Sequence, residues 1–296
     1  MSPSEPTLDK LRQEIDQIDD DIHDLLMRRT RVVEKIRSIK GENNSAYHRP
    51  AREATILRRL IGRHRGNFPK TSLVRLWREI MGALVRLQGP LEVAVFAPED
   101  HAGYWDLARD QYGASTPMTA YPTVAQVVRA VSEGAASVGV LPWPHESSPD
   151  PWWRHLASQD AESLRIVARL PFAGEGDGRA KGLHAVAIAR MPQEHTGDDH
   201  SLLVIETKGE LSRSRFTEAM EAAGLEPGYV GEWQVSEDPE SWLYLVEIGE
   251  FVAPDDPRME RLLESPENSI VRAIQAGGYA IPFGDEDLAD RPGDGP

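Results

Sequence analysis

From Leu8 to Lys40 the chain carries one helical period that no glycine or proline interrupts. Leu11, Ile15, Ile18, Ile22 and Leu25, then Val32, Ile36 and Ile39, recur in alternating steps of four and three. Thr7 is placed to cap the start, Asp9 and Asp16 lie toward the positive end, and Gly41, Asn43 and Asn44 close the pattern. At about 1.5 Å per residue this is a rod roughly 50 Å long, far beyond the radius of gyration of about 12 Å expected for a compact domain of about 90 residues. Such a rod needs a partner. The simplest is a second copy of itself, paired by two-fold symmetry.

Between Leu25 and Val32 the next seam position is Arg29. A guanidinium on an apolar seam is costly unless compensated, so an anionic ligand, a carboxylate partner or a snorkelling side chain is expected there. Lys40 follows about three turns later with roughly 20° of drift, so both cations share a face.

Pro50 sits where a first-turn proline is welcome, Arg52 and Glu53 follow it, and Ile56, Leu57, Leu60 and Ile61 predict a second helix over 50–65. Gly66 and Pro69 break it. A third helix over 71–88 carries Leu73, Leu76, Trp77, Ile80, Met81, Leu84 and Leu87, with Gln88 one turn beyond Leu84 as either a surface residue or a ligand contact.

A chain of 296 residues holds two or three domains. The absence of cysteine removes disulfide and thiolate chemistry. The opening Met1 to Pro6 lacks a signal pattern and no apolar run approaches the roughly 20 residues of a membrane helix. A soluble cytoplasmic protein without membrane contact is therefore expected. The net charge of −15 argues against a nucleic-acid partner, yet residues 1–90 hold 18 basic against 12 acidic side chains and the remainder 15 against 36. A basic first region suits an anionic ligand.

After Gly89-Pro90 the pattern changes. Strands are predicted at 91–96, 136–141 and 183–189 and helices at 104–112 and 124–132, an alternation that indicates a parallel sheet. Strand 201–207, helix 211–223, strands 228–235 and 241–248, helix 257–264 and a strand over 270–281 complete an α+β sandwich, followed by an acidic tail expected to be disordered. No metal-ligand spacing, phosphate loop, nucleophile elbow or internal repeat is found in the sequence.

The first 90 residues resemble the all-helical class of chorismate mutase. The resemblance rests on Leu11 to Asp16, Leu25-Leu26 with Arg28-Arg29, Ile36 to Lys40, Pro50-Ala51-Arg52-Glu53 and the closing helix from Arg75 to Gln88. It implies a fold of three helices per chain in an intertwined all-α dimer (1–90), with active sites shared between subunits and neither cofactor nor metal. By the resemblance, Arg12 reaches into the partner's site for one substrate carboxylate and Arg29 holds the other. Lys40 and Gln88 approach the ether oxygen, Glu53 accepts the ring hydroxyl, and Arg52 contacts substrate or pairs with an acidic neighbour. The implied reaction, chorismate to prephenate in aromatic amino-acid synthesis, is unimolecular. It requires a flexible diacid to be held in its reactive form and donors to meet charge growing on the ether oxygen. The chain departs from the family at Leu84, where a small hydroxyl residue often stands, and at Arg49, where some relatives are acidic.

The remainder resembles the dehydratase and ACT portions of the bifunctional mutase/dehydratase in eroded form: a truncated α/β lobe (91–190), an ACT-like α+β domain (200–283) and a tail (284–296). Val138 to Ser147 matches a strand ending in that family's Pro-Ile-Glu-Asn-Ser. Gly182-Leu183-His184 stands where its catalytic Thr-Arg-Phe belongs. Lys208 to Leu211 loosely resembles its Gly-Ala-Leu ligand motif, and Trp233 to Ser236 stands where its Glu-Ser-Arg-Pro belongs. His145, Glu146 and His184 read as structural. The resemblance then implies a mutase with an inactive dehydratase-like tail, whose ACT-like part meets an aromatic amino-acid effector or a partner enzyme, or stabilises the dimer. A bifunctional mutase/dehydratase, an amino-acid sensor on a helical scaffold and, more distantly, an isochorismate lyase are the alternatives.

Overall fold

The computed structural model describes residues 7–40, 47–145, 151–158, 160, 163–176, 178–236, 238–264 and 269–289. Its contacts divide the chain into two units, one of residues 1–47 with 84–90 and one of 48–83 with 91–296.

The first unit is dominated by α1 (Leu8–Lys40), with the bounds its period predicts. The residues expected to end it, Gly41, Asn43 and Asn44, lie outside the described ones. Its apolar stripe is open along its length, from Leu11 through Ile18 and Leu25, 61% exposed, to Ile39. The same unit holds the last turn of α3 (Lys70–Gln88), where Arg37 donates from NH1 to the Leu87 carbonyl at 3.1 Å. Gly89 lies so close to the Tyr47 ring that a Cβ there would come within 2.1 Å of it.

The second unit begins with α2 (Pro50–Arg63), which starts on its proline as expected. The inner faces of α2 and α3 bury Ala54, Leu57, Ile61, Val74 and Met81 around Phe172. A boundary at residue 90 was expected. Instead α2 and most of α3 share a core with the later sequence, because their apolar sides meet Phe172, Ala280 and Phe283.

One sheet of nine strands follows, in the order β2-β1-β3-β5-β4-β9-β6-β8-β7. The strands are β1 (Val93–Phe96), β2 (Met118–Tyr121), β3 (Val138–Pro142), β4 (Arg165–Leu170), β5 (Ala185–Ala189), β6 (Asp199–Lys208), β7 (Pro227–Gln234), β8 (Ser241–Ile248) and β9 (Ile270–Ala280). Helices α4 (Gly103–Tyr112) and α5 (Val124–Ser132) follow β1 and β2, and these crossovers make β2, β1 and β3 parallel. The expected parallel pairing holds for β2, β1 and β3 and ends beyond β3. β5 runs antiparallel to β3, and β4 antiparallel to β5, since among the described residues of 171–184 no crossover α-helix carries the chain back to start a parallel strand. β2 and β4 escaped the sequence reading. In β4 the apolar period is broken by Arg165 and Arg169, yet Arg165 is buried because its guanidinium donates to the carbonyls of Leu164, Ser158 and Asp160.

β6, α6 (Arg213–Ala222), β7, β8, α7 (Pro257–Glu264) and β9 form a βαββαβ motif of ferredoxin-like strand order. Its strands continue the sheet of the preceding α/β part through the pairing of Ile166 with Gly277. Gly277 has φ +110°, and a Cβ there would stand 2.2 Å from the Ile166 carbonyl oxygen, so glycine permits the junction. The tail expected to be disordered contains α8 (Asp285–Leu288), and Lys70 donates from Nζ to the carbonyls of Asp287 and Ala289 at 2.8 Å each. Residues 290–296 lie outside the described ones.

Candidate active site

Four of the six candidate residues belong to the first unit. Arg12 is exposed on α1, 3.5 Å from Asp9. Arg29 is half-buried. Lys40 is the last residue of α1, and its side chain lies outside the described ones. Gln88, half-buried at the end of α3, donates from Nε2 to the Leu84 carbonyl one turn back at 3.3 Å. At about 1.5 Å of rise per residue, Arg12 and Arg29 of one chain stand roughly 25 Å apart. One copy of α1 cannot close both on a small dianion.

The other two, Arg52 and Glu53, open α2 in the second unit and point to different surroundings. Arg52 is exposed. Glu53 is buried, and its Oε2 accepts a hydrogen bond from NH1 of Arg78 at 2.6 Å. Arg78 is 3% exposed, and its guanidinium lies 4.9 Å from the centre of the Phe172 ring. His48 places Nε2 3.9 Å from the other Glu53 oxygen and packs edge-on against Tyr112 at 5.5 Å. Burial pulls the His48 and Arg78 pKa values down, with Glu53 opposing both, and pushes the Tyr112 phenol up. A buried charge needs a partner, and here Glu53 and Arg78 supply one another.

His48, Arg78 and Tyr112 were not singled out in the sequence. A signal for Arg78 existed. It follows Val74 by four positions and precedes Met81 by three, a cation on an apolar stripe like Arg29 on α1. Arg49, noted for its charge, instead bonds Glu194, with NH2 2.5 Å from Oε1. Leu84 is buried.

The two eroded dehydratase-like stretches are neighbours. β3 ends at Pro142, β5 begins at Ala185, and the Trp143 amide donates to the His184 carbonyl at 2.9 Å. His145 and His184 are exposed, whereas Glu146 and Ser147 lie outside the described residues. Beside Trp143 is a cluster that the sequence reading missed. Arg169 stacks over the Trp143 ring at 4.4 Å and donates to the Tyr279 hydroxyl at 2.9 Å. The Tyr279 hydroxyl donates to Glu247, and His200 Nδ1 lies 3.2 Å from the same carboxylate. Four different strands supply these groups, so no local spacing announces them.

Residues 11–89 match the family model for chorismate mutase type II. That span contains all six candidate residues. The chain is 32% identical over 139 residues to the bifunctional chorismate mutase/prephenate dehydratase of Aquifex aeolicus, covering 46% of this chain and 38% of the relative. It is 31% identical over 140 residues to the protein of that name from Stutzerimonas stutzeri, with the same coverage. It thus spans under two fifths of the length of these curated relatives. A solved prephenate dehydratase from Arthrobacter aurescens aligns with TM-score 0.46 at 12% identity, over 69% of this chain and 95% of that one. Among the described residues no helix is long and apolar enough to cross a membrane, and no group of acidic and histidine side chains is arranged to hold a metal.

Proposed function

We propose that the protein is a chorismate mutase, converting chorismate to prephenate by a cofactor-free pericyclic rearrangement in aromatic amino-acid synthesis. The observation that carries this reading is the family match over 11–89, the span that holds every candidate side chain. Arg12 and Arg29 bind the two carboxylates in forked geometry. Lys40 and Gln88 meet the negative charge that grows on the ether oxygen, where fixed donors lower the barrier most. Glu53 accepts the ring hydroxyl, and Arg52 flanks it.

The working form is a homodimer in which Arg12 comes from the second copy. Two facts support it: the separation of Arg12 from Arg29 along one rod, and the open apolar stripe of α1, which only another apolar surface can cover favourably. The βαββαβ part is ACT-like in its strand order and is the place for an aromatic amino-acid effector or a partner enzyme.

The test is to incubate the purified protein with chorismate, follow the loss of absorbance and identify every product. Prephenate is expected, and Arg29→Ala is expected to abolish its formation. Chorismate that persists unchanged with the folded protein overturns the reading.

The dehydratase-like tail is read as inactive, since the family's Thr-Arg-Phe is missing at 182–184. A bifunctional enzyme is the second reading, favoured by the names of the curated relatives and by Arg169, His200, Glu247 and Tyr279 beside Trp143, a cation and acids of the kind dehydration needs. Supplying prephenate and looking for phenylpyruvate separates the two.

A further inference from the structure

Glu53 is held in place by a chain of contacts through Arg78 and Phe172. Arg78 NH1 donates to Oε2 at 2.6 Å, while His48 Nε2 stands 3.9 Å from Oε1, too far for a hydrogen bond. The bonded oxygen fixes the orientation of the carboxylate, and the other keeps its lone pairs for a donor. A carboxylate oxygen held at a fixed angle is a directed acceptor for a hydroxyl donor.

Arg78 is itself held. Its guanidinium lies under the Phe172 ring at 4.9 Å, and Phe172 is fixed by an edge-on contact with Phe283 at 5.3 Å and by the Phe283 amide, which donates to the Phe172 carbonyl at 2.9 Å. Phe172 stands two residues beyond the end of β4 and Phe283 three beyond the end of β9, so both are set by the sheet.

We propose that Arg78 is a positioning residue that aims Glu53 at the substrate's ring hydroxyl, and that Phe172 makes this aim depend on the sheet. The inference rests on the reading of Glu53 as a substrate contact in a chorismate mutase. It goes beyond that reading by giving the α/β part a task in the mutase reaction.

A hydroxyl contact made equally in the ground and transition states acts on KM rather than kcat. In the full-length protein, Arg78→Met is expected to raise the KM for chorismate roughly 10- to 100-fold with kcat changed less than about fivefold, since misplacing a binding group by about 1 Å has effects of that size. Arg78→Lys, which keeps the charge, is expected to recover most of the loss. Phe172→Leu is expected to raise KM about threefold. In a Glu53→Gln background, Arg78→Met should change KM no further, because residues acting through one another are not additive.

A purely structural role predicts a different result: fewer active molecules, hence lower kcat at unchanged KM. That result overturns the proposal, as does an undiminished Arg78→Met effect in the Glu53→Gln background. Should Arg78→Met fail to fold, the same KM-against-kcat comparison on Arg78→Lys and Phe172→Leu decides, and unchanged KM in both overturns it. Failure of the mutase reading is distinct, for the unaltered protein would then leave chorismate untouched.

Discussion

Two helical regions carry the same signal, a cation set into an apolar stripe, and treat it in opposite ways. On α1 the stripe around Arg29 lies open, with Ile22 52% and Val32 51% exposed. On α3 the stripe around Arg78 is closed, with Val74 and Met81 buried, Glu53 paired to the guanidinium and Phe172 above it. The difference teaches that such a cation marks a demand for a partner without saying which partner answers it. For Arg78 the answer lies within the chain. For α1 the apolar side chains lie open, which is why a second copy is the natural proposal there.

The contrast breaks most visibly on α1. Ile18→Asp together with Ile22→Asp should leave a folded monomer without mutase activity, because charges in an apolar seam cost several kcal/mol, on the order of the whole pairing energy. Sedimentation of the doubly substituted protein as a dimer would sink the paired-rod proposal.

Next in size is the closed stripe. Glu53→Ala strands the Arg78 charge in the interior and should cost about 3–5 kcal/mol of stability in urea unfolding. A loss of a few tenths would mean that the pair is solvated.

The fit of α3 to the body gives a smaller effect. A Cβ at Gly82 would stand 2.2 Å from the Tyr112 carbonyl oxygen, so Gly82→Ala should destabilise by about 1–3 kcal/mol despite alanine's better helix propensity. An unchanged or raised melting temperature would show that α3 and the end of α4 are not in close contact.

The smallest effect is the pH response of the closed cluster. Burial lowers His48 below its ordinary value of 6.5, with Glu53 opposing and Arg78 reinforcing the shift. As pH falls, the unfolded chain therefore takes up this proton first. The stabilisation is fully present above about pH 6.5 and is lost below it, by at most about 1.4 kcal/mol per pH unit, until the folded value is reached. Unfolding of His48→Gln between about pH 7.5 and 5.5 should show a flatter slope than the original protein. Equal slopes would remove His48 from the balance.

Much of the fold was legible from period and punctuation alone. α1, α5, β8 and α7 have the bounds that their patterns predict, because each is a regular element whose apolar positions repeat without conflict. β4 was not legible, since Arg165 and Arg169 break its apolar period. The antiparallel turn of β5 was not legible either, because the apolar run from Ala185 to Ala189 is equally at home beside a neighbour of either direction. Of the candidate site, the helices and the order of its residues could be read, but not the burial of Glu53.

What the sequence by itself determined is therefore local: the long rod with its apolar stripe, the proline start of α2, and the family motifs spread over 11–89. Only the tertiary structure decided that α2 and most of α3 share a core with the sheet, that Glu53 and Arg78 meet, and that Arg169, His200, Glu247 and Tyr279 gather at one place. The physical reason is range. A helix announces its faces within a few residues, whereas a buried ion pair is settled by whichever distant side chains share its low-dielectric surroundings once the chain has closed.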